Sequence, residues 1–216
     1  MHKENIIICF CKHPEPGLVK SRLAKDIGNE HAAEIYKLLL DETLKSISNL
    51  EAKVYLYCYP NVDHPILQQY KNKYGLTLKK QCDGNLGMKM FHAITNHLNG
   101  NSNVVLVGSD CLEINASYIQ KAFESLNSGY EIVLGPAIDG GYALIGANNI
   151  NVSIFQDIAW STNEVLKQTE EKINGLNWKY SCLNKVRDLD TLGDFQYFST
   201  HNDYQNFFKR LSSLMY

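Results

Sequence analysis

Short apolar runs alternate with segments of helical periodicity over the first two thirds of the chain. The apolar runs show no regular polar alternation, which is typical of strands covered on both faces of a parallel sheet. Strands are predicted over 5–11, 53–59, 76–81, 103–108 and 131–135. This alternation of strands and helices predicts an α/β fold with a mostly parallel central sheet flanked by helices.

The segments between these strands carry the spacing of amphipathic helices. After the first strand, largely apolar side chains recur every four residues in two neighbouring rows: Ile35, Leu39, Thr43 and Ile47, and beside them Tyr36, Leu40 and Leu44. Further helices are predicted over about 64–73, where Pro65 suits the first turn, and over 86–98. Another helix is expected to begin after Asn115, whose side chain can cap it.

The pattern changes after residue 135. Residues 142–145 follow a Gly-Gly turn, and we expect them to form a short antiparallel strand near an edge of the sheet. The sequence Ser-Thr-Asn-Glu at 161–164 fits the capping box of a helix that continues to about residue 174. A strand over 177–183 and a mostly helical segment over 191–214 follow. We expect residues 1–216 to form a single domain, with a short antiparallel addition to the sheet.

Composition narrows the class of protein. The chain has 216 residues, 44% of them hydrophobic, so it can bury a substantial core. A formal net charge of -2 gives no support for electrostatic binding of nucleic acid. No apolar stretch approaches the roughly 20 residues that span a bilayer, and no signal peptide is recognisable. We therefore expect a cytoplasmic protein with reduced cysteines that binds neither nucleic acid nor membranes.

Asp110 is the first candidate for chemistry. It follows the apolar run Val-Val-Leu-Val at 104–107 and comes directly after Gly108 and Ser109. Ligands of open α/β sheets bind at the carboxyl ends of the strands, where an aspartate can hold a hard cation and, through it, a phosphate. The alternative is an aspartate that caps the next helix or starts a turn.

A basic loop over residues 12–23 follows the first predicted strand. Gly17 permits close approach of the backbone to a ligand, and Pro16 stiffens the loop. Lys20 and Arg22 can neutralise a pyrophosphate, Arg22 through paired hydrogen bonds. The loop is neither a Walker P-loop nor a Gly-x-Gly-x-x-Gly dinucleotide motif. The alternative is a solvated loop with ordinary surface charges.

Six short motifs occur in a fixed order along nearly the whole chain. They are Lys12-x-Pro14-x-Pro16-Gly17-x-Val19-Lys20-Ser21-Arg22-Leu23, Gly84-Asn85-Leu86-Gly87, Gly108-Ser109-Asp110-Cys111, Gly135-Pro136-Ala137-x-Asp139-Gly140-Gly141-Tyr142, Trp160-Ser161-Thr162 and Asp188-Leu189-Asp190-Thr191. Together they resemble the DUF2064 proteins, also called rSAM/selenodomain-associated transferase 1 or arsenosugar-biosynthesis-type glycosyltransferases. The chain departs from the family pattern at three positions: Ser21 stands for threonine, Asn85 for aspartate and Leu112 for proline.

The resemblance implies the GT-A fold of the nucleotide-diphospho-sugar transferases. It implies a cleft for a nucleotide or nucleotide-sugar substrate and a small-molecule acceptor, and Mg²⁺ or Mn²⁺ as cofactor. Asp110 would hold the cation together with Asp190, and Lys20 and Arg22 would bind the diphosphate. Asp188 lies two positions before Asp190, and we expect only Asp190 to reach the Asp110 site.

Two further segments have both a functional and a structural interpretation. Asp139 can act at the acceptor as a ligand or base, or assist the metal; alternatively, it only closes a turn on its own backbone. Trp160 can stack on a sugar or base, and the helix predicted to begin beside it can bind an anion; alternatively, it is a buried tryptophan before a capped helix. The full set of expected substrate-binding residues is Lys12, Pro16, Gly17, Gly87, Ser109, Gly140, Gly141, Tyr142, Trp160, Ser161 and Thr162.

Three functions are compatible with these residues. The preferred one is metal-dependent glycosyl transfer from a nucleotide-activated sugar. The second is a nucleotidyltransferase, in which a phosphorylated acceptor attacks an NTP and pyrophosphate leaves; the basic loop also resembles that of phospholactate guanylyltransferases. The third is a non-catalytic protein that binds sugar nucleotides.

Overall fold

Seven strands form one sheet in the computed structural model, which describes residues 3–215. In chain order they are β1 (Glu4–Lys12), β2 (Lys53–Tyr59), β3 (Thr77–Lys80), β4 (Ser102–Val107), β5 (Ile132–Pro136), β6 (Tyr142–Ala147) and β7 (Tyr180–Cys182). Their order across the sheet is β3-β2-β1-β4-β6-β5-β7. All neighbouring strands are parallel except β6, which is antiparallel to both β4 and β5. We propose that the chain, joined by this one sheet, forms one domain.

Helices cover both faces of the sheet. They are α1 (Ser21–Ile27), α2 (Asn29–Ser48), α3 (Pro65–Tyr74), α4 (Leu86–Thr95), α5 (Ala116–Asn127), α6 (Val165–Gly175), α7 (Leu192–Thr200) and α8 (Gln205–Met215), with short 3₁₀ helices at Val152–Phe155 and Asn202–Tyr204. No helix among the described residues is both long and apolar enough to cross a membrane.

The core has two main layers, one on each face of the sheet. Ile7 of β1 belongs to the layer formed with α2, α3 and α5. Its neighbour Ile8 belongs to the opposite layer, formed with α4, α6 and the first 3₁₀ helix. Successive strand residues point to opposite faces, and both faces are buried, so the apolar runs need no polar alternation. The predicted mostly parallel α/β sheet is therefore confirmed.

Two of the predicted helix starts have the expected chemistry, and a third helix begins at a capping box. Pro65 lies in the first turn of α3, Asn115 accepts a hydrogen bond from the Tyr118 amide at the start of α5, and Thr191 forms a capping box with Asp194 at α7. In each case a side chain accepts a hydrogen bond from a free amide of the first helical turn, or a proline replaces a residue that would carry such an amide. Local sequence thus determines where these elements begin.

The predicted edge position of the antiparallel strand is wrong. β6 lies between β4 and β5, with Ile145 opposite Leu106 on one side and Leu134 on the other. The turn at Gly140 and Gly141 folds β6 back beside β5, and its apolar residues fill the gap to β4. Because Ile145 is fully buried, this strand belongs to the centre of the sheet.

Two local predictions around helix starts also need correction. Residues 161–164 do not form a capping box, because α6 begins at Val165. Ser161 has a left-handed backbone (φ 67°), and the Thr162 hydroxyl donates to the Ala159 carbonyl, so the segment is a turn. The basic loop, in turn, ends in a short helix, since α1 begins at Ser21 directly after Lys20.

Candidate functional site

A cavity of about 1050 Å³ opens at the carboxyl ends of the parallel strands. Lys12 is the last residue of β1, Asp110 follows β4, and Asp139 follows β5. All three line the cavity, together with Asp188 and Asp190 from the segment before α7. The position agrees with the rule that open α/β sheets bind ligands at this edge.

Most of the predicted site residues lie on this cavity. The lining includes Lys12, Lys20, Arg22, Ser109, Asp110, Asp139, Gly141, Tyr142, Trp160, Ser161, Thr162 and Asp190. Four predicted substrate-binding residues, Pro16, Gly17, Gly87 and Gly140, are not part of it. The structure therefore brings together five segments of the chain and leaves Pro16 and three of the predicted glycines outside the cavity lining.

Two of these glycines have packing roles instead. A Cβ on Gly87 would lie 2.5 Å from Cζ2 of Trp160, so Gly87 lets the indole pack closely on the start of α4. A Cβ on Gly140, which has φ +91°, would lie 2.3 Å from the Asn163 carbonyl oxygen. Both positions require glycine, because a side chain there would clash with the protein itself and not because a ligand approaches.

Lys20 lies at the centre of the charged groups. Its Nζ is 3.0 Å from Oδ1 of Asp110 and 2.8 Å from Oδ1 of Asp190. Nη2 of Arg22 is 2.7 Å from the other oxygen of Asp190. The two cations expected to bind phosphate thus pair with the two carboxylates expected to bind metal.

Burial distinguishes the two cations. The Lys20 side chain is 2% exposed, whereas that of Arg22 is 59% exposed. Burial lowers the pKa of Lys20, but the adjacent Asp110 and Asp190 outweigh it, and the pKa is raised overall. Lys20 therefore remains an ammonium, and two carboxylates hold it in the floor of the cavity.

Local backbone structure fixes this arrangement. Lys20 has a left-handed conformation (φ 52°, ψ 41°) at the start of α1, and its carbonyl accepts the Ala24 amide. The Leu189 amide donates to the Asp110 carbonyl at 3.0 Å, which holds the segment 188–190 beside the end of β4. A main-chain contact thus holds Asp110 beside residues 188–190, and the Lys20 side chain links both of them to the start of α1.

The expectation that only Asp190 reaches the site is wrong, because Asp188 also lines the cavity. Leu189, between them, is fully buried in a cluster with helical residues. In an extended chain, residues two apart share a face, so both aspartates point toward the cleft. Burial raises the pKa of Asp188 to about 7, and the negative charge of Asp110 adds to this rise. The positive charge of Lys20 opposes it.

Asp139 closes a turn and also lies on the cavity lining. Its Oδ1 accepts the Gly141 amide at 3.0 Å, which is the turn-closing contact. The residue nevertheless lines the cavity. One carboxylate oxygen therefore closes the turn on the rim of the cleft.

Sequence reasoning missed Tyr36, which supports the same cleft from α2. The Lys12 amide donates to the Tyr36 hydroxyl at 2.9 Å, and that hydroxyl lies 2.8 Å from Oγ of Ser109. Burial raises the pKa of Tyr36, so it remains a neutral phenol. The sequence places Tyr36 in an apolar helical row, and only its hydroxyl signals a polar role.

Gln81 was missed in the same way. Its side-chain amide donates hydrogen bonds of 3.0 Å to the carbonyls of Cys11 and Tyr57. These two bonds join the ends of β1 and β2. Gln81 is buried and lines the cavity, so it braces the cavity floor. Gln81 belongs to none of the six motifs, so nothing in the sequence singled it out.

Solved structures of similar shape share this architecture. A provisionally named nucleotide-diphospho-sugar transferase from Desulfovibrio desulfuricans G20 matches with a TM-score of 0.87 at 28% identity, over 98% of this chain and 96% of that chain. A 4-diphosphocytidyl-2C-methyl-D-erythritol synthase from Anaerococcus prevotii DSM 20548 matches with a TM-score of 0.61 at 11% identity, over 95% and 100%. The glucosyl-3-phosphoglycerate synthase of Mycobacterium tuberculosis, solved with Mn²⁺, UDP and glucosyl-3-phosphoglycerate, matches with a TM-score of 0.53 at 8% identity, over 90% and 75%.

These matches confirm the expected nucleotide-diphospho-sugar transferase fold. No curated protein shows significant sequence similarity to the chain. The sequence profile of a family described as "Uncharacterized protein conserved in bacteria (DUF2064)" matches residues 43–162, more than half of the chain. The chain therefore belongs to the DUF2064 family.

Proposed function

We propose that this protein is a transferase that uses a nucleotide-activated sugar as donor. The observation that carries the proposal is the cluster of Lys20, Arg22, Asp110 and Asp190 in the large cavity at the carboxyl ends of the strands. It combines two cations with carboxylates, which are the groups that a diphosphate and a hard cation require. The similarity to the Desulfovibrio protein supports the same class of substrate.

Each part of the cleft has a task in this proposal. Lys20 and Arg22 neutralise the charge of the diphosphate, which makes it a better leaving group. Asp139, on the rim, positions the acceptor or takes a proton from its hydroxyl. Trp160 packs beside the cavity and provides an apolar wall. Glycosyl transfer would release a glycoside and a nucleoside diphosphate.

A divalent cation, Mg²⁺ or Mn²⁺, is part of the proposal, and the donor chemistry fits it. Asp110 and Asp190 each place an oxygen within 3.0 Å of one shared cation, the Lys20 ammonium. Asp188 adds a buried carboxylate oxygen without a hydrogen-bond partner. Among residues 3–215, no three His, Cys, Asp or Glu side chains are arranged to hold a metal ion, so oxygens of the nucleotide would complete the ligand set. When bound, the cation would supply positive charge to the leaving diphosphate.

Nucleotidyl transfer is the second candidate, and the exposure of Arg22 favours it. The guanidinium is paired at one nitrogen with Asp190, yet the side chain remains 59% exposed on the cavity lining. It can therefore bind an additional phosphate, as a triphosphate would require. In that reaction a phosphorylated acceptor would attack the α-phosphate and release pyrophosphate.

One set of incubations separates these functions. The protein is incubated with UDP-, GDP-, ADP- and CDP-sugars, and in parallel with each NTP and a sugar 1-phosphate, with Mn²⁺ present. We expect release of nucleoside diphosphate from one sugar nucleotide. Release of pyrophosphate that depends on the sugar phosphate would instead establish the nucleotidyltransferase.

The variant Asp110→Asn tests whether the turnover belongs to this cleft, and Asp26→Asn, at an exposed position on α1, is the matched control. Turnover should be lost only in Asp110→Asn. Nucleotide binding without any turnover, unaffected by Asp110→Asn, would favour a non-catalytic binder.

A further inference from the structure

The Lys20 ammonium lies where the proposed divalent cation would have to bind. Its Nζ is within 3.0 Å of one oxygen of Asp110 and one of Asp190. An Mg²⁺ ion held by these same two oxygens, at its usual distance of about 2.0–2.1 Å from each, would take the same position between the two groups. The ammonium and the metal ion therefore exclude each other.

The two carboxylates are not equally well satisfied by Lys20. The contact with Asp190 is a hydrogen bond at 2.8 Å, whereas Oδ1 of Asp110 is buried, has no hydrogen-bond partner and lies 3.0 Å from Nζ as an ion pair only. Asp188, beside them, also keeps a buried oxygen without a partner. Lys20 thus neutralises the carboxylates without completing their hydrogen bonds, and a metal ion could serve these oxygens better.

Removing Lys20 from this position has a cost unless a new anion is available. Lys20 is almost fully buried, and an ammonium that leaves both carboxylates would be unpaired. A free metal ion brings no anion with it. A diphosphate brings oxygens that can accept hydrogen bonds from both Lys20 and Arg22. The long side chain allows the ammonium to move while the backbone at the start of α1 stays in place.

We propose that Lys20 is an internal counter-ion that holds the place of the divalent cation between Asp110 and Asp190 and is released by the diphosphate of the substrate. This inference rests on the proposed function and adds to it a coupling between the two ligands. The metal ion binds weakly alone and tightly together with a diphosphate, because only the diphosphate provides new partners for Lys20. By linkage, the metal ion strengthens diphosphate binding by the same factor.

The test measures Mn²⁺ binding without nucleotide, by electron paramagnetic resonance of the free ion. Lys20→Met keeps the apolar stem and removes the ammonium, and we expect it to bind Mn²⁺ at least about tenfold more tightly than the wild type. Arg22→Met also removes one positive charge from beside Asp190 but leaves Lys20 in place. The Mn²⁺ affinity of this variant should stay within about threefold of that of the wild type. Lys25→Met, on the exposed side of α1, should not change it.

Three outcomes would overturn the inference. The first is a Mn²⁺ affinity of Lys20→Met no higher than that of the wild type, the second is an affinity equal to that of Arg22→Met, and the third is a gain that persists when Asp110→Asn is added. Equal gains would mean a general charge effect. Thermal unfolding with and without Mn²⁺ checks folding independently: Mn²⁺ should raise the melting temperature of Lys20→Met and leave that of the wild type unchanged.

A second measurement tests the coupling with inorganic pyrophosphate as the probe. Water-proton relaxation distinguishes Mn²⁺ on the slowly tumbling protein from Mn²⁺ chelated by free pyrophosphate. Pyrophosphate should increase Mn²⁺ binding to the wild type by a larger factor than to Lys20→Met, in which no ammonium has to be released; an equal effect on both would contradict the proposal. Neither measurement needs a sugar nucleotide. If the wild type turns over a donor and Lys20→Met shows no gain in Mn²⁺ affinity, this inference alone is refuted. If Lys20→Met shows the gain and the wild type turns over no donor, the proposed function alone is refuted.

Discussion

Two clusters in this protein each pair one aspartate with two cations. In the cleft, Asp190 is held by Lys20 and Arg22. On α2, Asp41 is held by two cations: Lys73 of α3 lies 2.6 Å from one carboxylate oxygen, and Arg210 of α8 lies 2.8 Å from the other. The pairing chemistry is the same, and the surroundings differ.

The Asp41 cluster is closed. Its carboxylate also accepts the Tyr74 hydroxyl at 2.7 Å, and Arg210 has a second partner in Glu42, so each group has its contacts within the protein. The cations lie at the surface, about half exposed. This cluster joins three helices, and nothing in it remains to bind a ligand.

The cleft cluster is open. It faces a cavity of about 1050 Å³, its central lysine is buried, and Asp110 and Asp188 retain oxygens without hydrogen bonds. The comparison teaches that an ion pair indicates function only when it borders a cavity and leaves polar groups unsatisfied. The predictions below test this distinction.

The largest expected effect is on turnover. Asp110→Asn should reduce turnover of the sugar nucleotide by about 100- to 1000-fold, because it removes a carboxylate from the proposed cation site. Asp41→Asn should leave the turnover of folded protein unchanged. A steady-state assay of both variants makes the comparison, and equal losses would mean that the two clusters do not differ in function.

The two clusters should also respond to pH with opposite signs. The pKa of Asp188 is raised to about 7, so the folded protein keeps a proton that the unfolded chain loses near pH 4; the contribution of Asp188 to stability is therefore most favourable at low pH and falls as pH rises toward 7. Burial raises the pKa of Asp41, but its hydrogen bonds to Lys73, Arg210 and Tyr74 outweigh burial and lower it overall. Its contribution is present above its ordinary pKa and is lost as pH falls through the lowered value.

Urea unfolding of the ligand-free protein between pH 4 and 8 measures the first of these effects. Asp188→Asn should remove the decline and stabilise the protein by roughly 1–3 kcal/mol at pH 8. Asp203→Asn, an exposed control, should keep the wild-type profile. A decline that persists in Asp188→Asn would assign it to another group.

Loss of the closed cluster should affect stability alone. Asp41→Asn should destabilise the protein by about 1–2 kcal/mol at pH 7, since it weakens charge-assisted hydrogen bonds to two partly exposed cations. Chemical denaturation measures the change. No change in the unfolding free energy would show that α3 and α8 do not depend on this aspartate.

The smallest effect is expected for Lys73→Met. Lys73 is 54% exposed, and Arg210 and Tyr74 remain to hold Asp41, so the cost should stay below about 1 kcal/mol. The melting temperature would fall by no more than a few degrees. A larger loss than in Asp41→Asn would contradict the closed, shared nature of this cluster.

Periodicity was sufficient to predict most of the fold. Five apolar runs became β1 to β5, and the cap at Asn115 begins a helix as expected. The central position of β6 was not predictable, because a strand's neighbours depend on long-range pairing and not on its own pattern. The sequence at 161–164 matches a capping box, yet the segment forms a turn. The left-handed backbone at Ser161 that produces this turn is a tertiary effect.

The site was predicted as a set of residues but not as an arrangement. The positions of Asp110 and Lys20 after predicted strands singled them out, and the motif resemblance added Asp190, far from both in sequence. Their mutual contact could not be read from sequence, because it depends on how the end of β4 and the segment before α7 meet. Asp188 could have been found by the two-residue period of extended chains. Tyr36 and Gln81 carry no local signal and became visible only through their hydrogen bonds.

The central claim is that the open cluster binds a nucleotide diphosphate together with a divalent cation. The most direct measurement is thermal unfolding of the wild type and Asp110→Asn with a panel of nucleoside diphosphates and sugar nucleotides, with and without Mn²⁺. A ligand present at 100 times its Kd should stabilise the folded protein by about 2.7 kcal/mol. We predict such stabilisation for at least one of these ligands, only with Mn²⁺ and only in the wild type. Absence of stabilisation by every nucleotide, or an equal effect in Asp110→Asn, would contradict the account.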